Sequence, residues 1–136
     1  MRPGFHNVSP YLLTRGASAA IEFYKQAFGA VELMRFPSPD NPQRLMHAEI
    51  QIGDSQIMLA DEVPEMDYLS PASLGGRSPV GFMLYIDDAD AMFHQAIAAG
   101  AKSIAPMEDK DYGRTGIVED PSGYRWYITT HKEFSH

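Results

Sequence analysis

In the segment LMHAEIQI, His47 stands two residues before Glu49, an interval that on an extended strand turns both side chains to one side. An imidazole beside a carboxylate can do two kinds of chemistry. It can supply two ligands to a divalent cation, with Asp61 or Glu62 as a third, or it can act as a general base. Two ligands alone make a weak metal site. The plainer alternatives are a hydrogen-bonded pair tying sheet to loop, or a contact with an organic molecule. The residues favour those over metal.

Other chemistry is thinly represented. With no cysteine, disulfides, thiolate zinc sites and cysteine nucleophiles are excluded. No nucleophile motif accompanies a Ser-His-Asp arrangement, and Gly75-Gly76 has no helical pattern after it, so it is not a phosphate cradle. His94 reads as a solvent-facing helix residue, and His6, His131 and His136 as surface residues near chain ends or a strand end. Asp87, Asp88 and Asp90 are explained by helix capping and the helix dipole. Tyr112 and Arg114 read either as the border of a pocket or as plain loop.

The elements that must hold these residues show in the spacing. Ala17, Ala20, Ile21, Tyr24 and Phe28 recur at helical intervals before Gly29, and Ala89, Met92, Phe93, Ala96 and Ile97 do so before Gly100. Each helix follows a short strand, VSPYLLT or VGFMLYI. Each precedes three strand-like runs: VELMRF, RLMHAEIQI and SQIMLAD, then KSIAPM, GRTGIVE and YRWYITT. The last two strands of each half join at tight turns, Gly53-Asp54 and Asp120-Pro-Ser-Gly123. The chain thus reads as β-α-β-β-β written twice. Module one spans about 5–61 and module two about 80–131. Between them, 62–79 is aperiodic and rich in Pro and Gly, a loop that is either functional or a linker.

A two-residue turn at Gly53-Asp54 pairs Ile52 with Ser55, Ile50 with Ile57, Glu49 with Met58 and Ala48 with Leu59. One face then carries Ala48, Ile50, Ile52, Ile57 and Leu59, and the other His47, Glu49, Gln51, Gln56, Met58 and Ala60. A slip of one residue would bury a glutamate and a histidine, so the register is strongly specified. The polar face is either solvated or the wall of a cavity. In the second half, Gly81, Met83 and Tyr85 share one face of the first strand and Arg125, Tyr127 and Thr129 one face of the last, with Trp126 on the core side. Tyrosine and methionine suit contact with a ligand better than contact with water.

The bulk numbers bound the function. A chain of 136 residues, 44% hydrophobic and 21% charged, is a single globular domain or two small packed halves. Its net charge of -7 and scattered Lys and Arg disfavour nucleic acid and faintly favour a cationic small molecule. No run has signal-peptide or membrane-span character, so a cytoplasmic location is expected and no membrane partner.

IEFYKQAFGA (21–30), HAEIQIGDSQIMLADE (47–62), YIDDADAMFHQAIAAGA (85–101) and DYGRTGIVEDPSGYRWYITTH (111–131) carry a resemblance to the vicinal oxygen chelate superfamily. That group takes in glyoxalases, extradiol dioxygenases, fosfomycin-resistance enzymes and bleomycin-binding proteins, and the likeness is greatest to its PhnB-like branch. The resemblance implies an α+β fold of two βαβββ modules whose curled mixed sheet encloses a cavity, in a homodimer. It also implies a divalent metal held by His and Glu side chains as a Lewis acid. Carried across one by one, those ligand positions fall on Ser9, Met58, Gly81 and Tyr127, a set without imidazole or carboxylate, so no metal cofactor is expected. The function this implies is metal-free binding of a small organic molecule, for which the acidic charge suits a cationic one, like the antibiotic-sequestering bleomycin-resistance proteins. Tyr11, Met58, Met83, Tyr85 and Tyr127 would supply contact area, and His47, Glu49 and Arg125 orientation. The alternative is a glyoxalase-like lyase or isomerase with an unusual metal site or metal-free acid/base chemistry.

Overall fold

A computed structural model describes residues 2–132; His136 lies outside the described residues. The first module runs β1 (Tyr11–Thr14), α1 (Ala17–Phe28), β2 (Val31–Pro37), β3 (Leu45–Ile52) and β4 (Ser55–Asp61). The second repeats it as β5 (Gly81–Tyr85), α2 (Ala89–Ala98), β6 (Lys102–Lys110), β7 (Gly113–Glu119) and β8 (Arg125–His131). Each module forms a four-stranded mixed sheet, in the orders β1-β4-β3-β2 and β5-β8-β7-β6. In both, the first strand lies parallel to the last, because the helix between them carries the chain back across the sheet.

The β3–β4 register is the one expected from the turn: Ile52 faces Ser55, Ile50 Ile57, Glu49 Met58 and Ala48 Leu59. Gly53 takes φ 58°, the left-handed conformation such a tight turn needs. β6 is longer than the KSIAPM run suggested. Pro106 falls inside a shift of register between Ala105 and Glu108, where the missing N–H costs no ladder bond, and pairing resumes to Lys110.

The helices end and begin for identifiable reasons. Gly29 closes α1 with φ 69°, and Ala30 N donates to Tyr24 O. Asp88 caps α2 by accepting from Ala91 N at 3.1 Å. At the start of α1 stands Gly16, which has no capping side chain. The acceptor comes instead from β4: Asp61 Oδ1 takes the N–H groups of Gly16 and Ala17 at 2.7 and 2.8 Å, and its Oδ2 takes Leu45 N at 2.8 Å. One carboxylate therefore fixes the entry to α1 and the first residue of β3.

One apolar core serves both modules. Tyr24 and Phe28 of α1 lie on Trp126 of β8, with ring centroids 5.6 and 4.7 Å away, and Phe82 packs on the same indole at 4.8 Å. Beneath them Asp120 is buried and accepts four hydrogen bonds, from Tyr24 Oη, Trp126 Nε1, Ser122 N and Tyr124 N. Gln95 of α2 donates to the last carbonyls of α1, at Gln26 and Ala27, and Tyr124 Oη donates to Leu13 O in β1. Apolar stacking supplies the driving force, and these polar ties set how the modules meet. No described helix is long and apolar enough to cross a membrane.

Candidate functional site

On the first sheet, β1, β4 and β3 lie side by side, so Tyr11, Met58 and Glu49 form one row across the face away from the helices. His47 sits two residues along from Glu49 on the same face, and its ring joins two members of this row. Tyr11 Oη lies 2.9 Å from His47 Nδ1, and His47 Nε2 lies 2.8 Å from Glu49 Oε2. With Glu49 ionised, Nε2 must carry the proton it donates, so in the neutral ring Nδ1 accepts from the tyrosine hydroxyl.

Glu49 itself is shielded from water. Arg2 reaches back from the chain start and donates from both terminal nitrogens to Glu49, Nη1 to Oε2 and Nη2 to Oε1, each at 2.6 Å. Glu49 is left 2% exposed. The guanidinium holds its carboxyl below the ordinary value against the opposite push of burial, and His47 adds to the lowering. Burial raises the Tyr11 phenol, and the charge on Glu49 raises it further.

Beside this row opens a cleft of about 830 Å³, lined by Tyr11, Leu13, Leu45 and Ala60 from the sheet and by Val63, Met66 and Tyr68 from the long loop. Met46, Met66 and Tyr68 remain largely exposed around it. Arg44 and Glu65 stand at its polar edge. Leu13 and Ala60 share the parity of Tyr11 and Met58, so strand alternation could have found them. The loop residues carry no periodic signal; the only hint was an aromatic and a methionine in a Pro-rich stretch.

The loop is built rather than slack. Two single 3-10 turns, Pro64–Met66 and Pro71–Ser73, each begin with proline. Glu62, just after β4, ties down the second turn: it accepts from Ser70 N, Ser70 Oγ, Ser73 Oγ and Arg15 Nε at 2.7–3.0 Å. Those donors, the Ser70 amide foremost, push its carboxyl down to about 2. Because the folded value lies below the ordinary 4.5, the stabilisation from Glu62 is fully present above that pH and is lost as pH falls toward about 2. Amide-exchange protection at Ser70 and Ser73, corrected for intrinsic rates, is expected to drop across that interval. The Glu62→Gln variant should show no such step there. Asp61, the last residue of β4, and Glu62 just after it could have completed a metal site with His47 and Glu49, but both are taken up in structural bonds.

The second group of expected site residues lies on the other sheet. Met83 pairs with Tyr127, and Gly81 with Arg125, across β5 and β8. The Tyr127 ring lies over Gly81, where a Cβ would meet its Cε1 at 2.7 Å. Met83 and Tyr85 are 45% and 60% exposed, and Arg125 pairs with Glu119 at 3.5 Å. Arg114 pairs with Asp90 and Asp109, at 2.7 and 3.3 Å. His6, His94 and His131 are exposed. Among the described residues, no group of three or more His, Asp or Glu side chains could hold a metal ion.

The profile of the Glyoxalase/Bleomycin resistance protein/Dioxygenase superfamily matches residues 6–128. The chain belongs to that superfamily. An uncharacterized protein of Mycobacterium tuberculosis, Rv0887c, is 44% identical over 125 residues, which cover 89% of this chain and 72% of that protein. The crystal structure of the Arabidopsis thaliana At5g48480 product superposes with TM-score 0.70 at 28% identity, covering 92% of this chain and 98% of that one. The PhnB protein of Bacillus cereus shares the fold, with TM-score 0.71 at 18% identity and coverage of 92% and 99%.

Proposed function

We propose that this protein binds a small organic molecule without a metal, after the manner of the antibiotic-sequestering members of its superfamily. One observation carries this. The first sheet presents a sizeable cleft walled by Tyr11, Leu13, Met66 and Tyr68, beside an imidazole–carboxylate pair whose hydrogen bonds are all made within the chain. Aromatic and thioether walls gain from covering apolar ligand surface, while the few polar groups at the edge set orientation. Met83, Tyr85 and Tyr127 offer a second apolar face, and a homodimer would shelter its exposed side chains.

The test has two measurements. Elemental analysis of protein purified without chelator or a metal-binding tag is expected to find no stoichiometric Mn, Fe, Ni or Zn. A thermal-shift screen is expected to show Tm raised by aromatic or cationic glycopeptide antibiotics and unmoved by divalent metals, since a ligand of the native state stabilises it. Stoichiometric metal would overturn the proposal and point to a lyase or isomerase.

A further inference from the structure

The N-terminal arm folds onto the candidate site in an unusual way. Arg2, Pro3, Gly4 and Phe5 form a turn closed by Phe5 N donating to Arg2 O at 3.1 Å, with Gly4 at φ 80°. The turn lays the Arg2 guanidinium over the Phe5 ring, 3.9 Å from its centroid, and aims its fork at Glu49. The two partners are unequally placed. The Arg2 side chain is half exposed, whereas that of Glu49 is 3% exposed and belongs to the sheet. Between residues 2 and 9 that turn bond is the only backbone–backbone hydrogen bond among the described residues. The arm's backbone meets the sheet at Pro10, whose carbonyl accepts from Met58 N.

From this asymmetry we infer that Glu49 is a recognition site for the guanidinium or amidinium group of a ligand, and that Arg2 is its internal occupant. This rests on the organic-ligand function proposed above and names the chemical class. A buried carboxylate with His47 as its sole remaining partner is costly, so an opened arm leaves a strong demand for a planar cation. The geometry selects the fork: two parallel N–H donors satisfy both oxygens, which an ammonium cannot do with the same fit. Tyr11 binds His47 and also lines the cleft, so a molecule anchored on Glu49 and long enough to pass Tyr11 reaches the aromatic wall. Arg2 competes from within, and the apparent affinity for an outside cation falls by the fraction of time the arm is closed.

The probes are agmatine and benzamidine, with butylamine as the cation lacking a fork. Titration calorimetry on full-length protein is expected to show Arg2→Ala binding agmatine at least about tenfold more tightly than wild type, with butylamine much weaker. If Arg2→Ala is destabilised, agmatine should raise its Tm, and should fail to do so for Arg2→Ala/Glu49→Gln. Equal affinity in wild type and Arg2→Ala overturns the inference, as does binding that survives Glu49→Gln. The antibiotic screen separates the two claims. Hits there without tightening in Arg2→Ala sink the Glu49 site alone, and tightening without hits sinks the antibiotic reading alone.

Discussion

Replacing Asp120 with alanine is expected to remove about 3–5 kcal/mol of stability, read as a fall in the urea midpoint at unchanged slope, since each buried donor left unpaired costs about 1–3 kcal/mol. Four donors converge on this carboxylate, and two of them, the Tyr24 hydroxyl and the Trp126 indole N–H, are buried in the core. Burial pushes the carboxyl up from its ordinary range, and the donors hold that rise in check. Asp120→Asn should cost less, because it keeps the shape and one acceptor and turns only one side of the site against its donors. The consequence reaches both modules. Tyr24 belongs to the first helix and Trp126 to the last strand, so loosening their shared acceptor loosens the seating of α1 on the second sheet. Unfolding of the variant should remain a single transition, because both modules share one core.

Asp61→Ala is expected to cost about 2–4 kcal/mol, combining a lost helix cap of about 0.5–2 kcal/mol with an orphaned amide at Leu45 of about 1–3 kcal/mol. Its signature is spatial as well as energetic. Exchange protection should fall at Ala17 and at Leu45, residues far apart in sequence that one side chain joins. Asp61→Asn should be milder, since its remaining oxygen can still serve α1 while its amide group faces Leu45 N. Because β3 carries His47 and Glu49, the alanine variant is also expected to weaken ligand binding at the cleft, measurable as a smaller thermal shift with any ligand from the screen. A role for Asp61 in holding metal would instead predict loss of metal content with little loss of stability.

Some of this was open to reading from the chain alone. Strand alternation and the Gly53-Asp54 turn determined the face on which His47, Glu49 and Met58 would appear, because a period of two and a tight turn are local properties. Helical spacing placed α1 and α2, and the repeated order of elements determined the two-module architecture. The expectation that Ser9, Met58, Gly81 and Tyr127 stand at the metal positions rests on the resemblance and on residue type alone.

Only the tertiary structure decided what those residues touch. Arg2 closes on Glu49 from the far end of an irregular arm, Asp61 caps a helix that begins well before it in the chain, and Asp120 gathers donors from both modules. Hydrogen bonds and ion pairs of this kind depend on where folding brings single polar atoms, and they leave no periodic trace in the residues between them. Hydrophobic patterning repeats along the chain and can be counted there; a lone carboxylate finds its partners only once the core has set the distances.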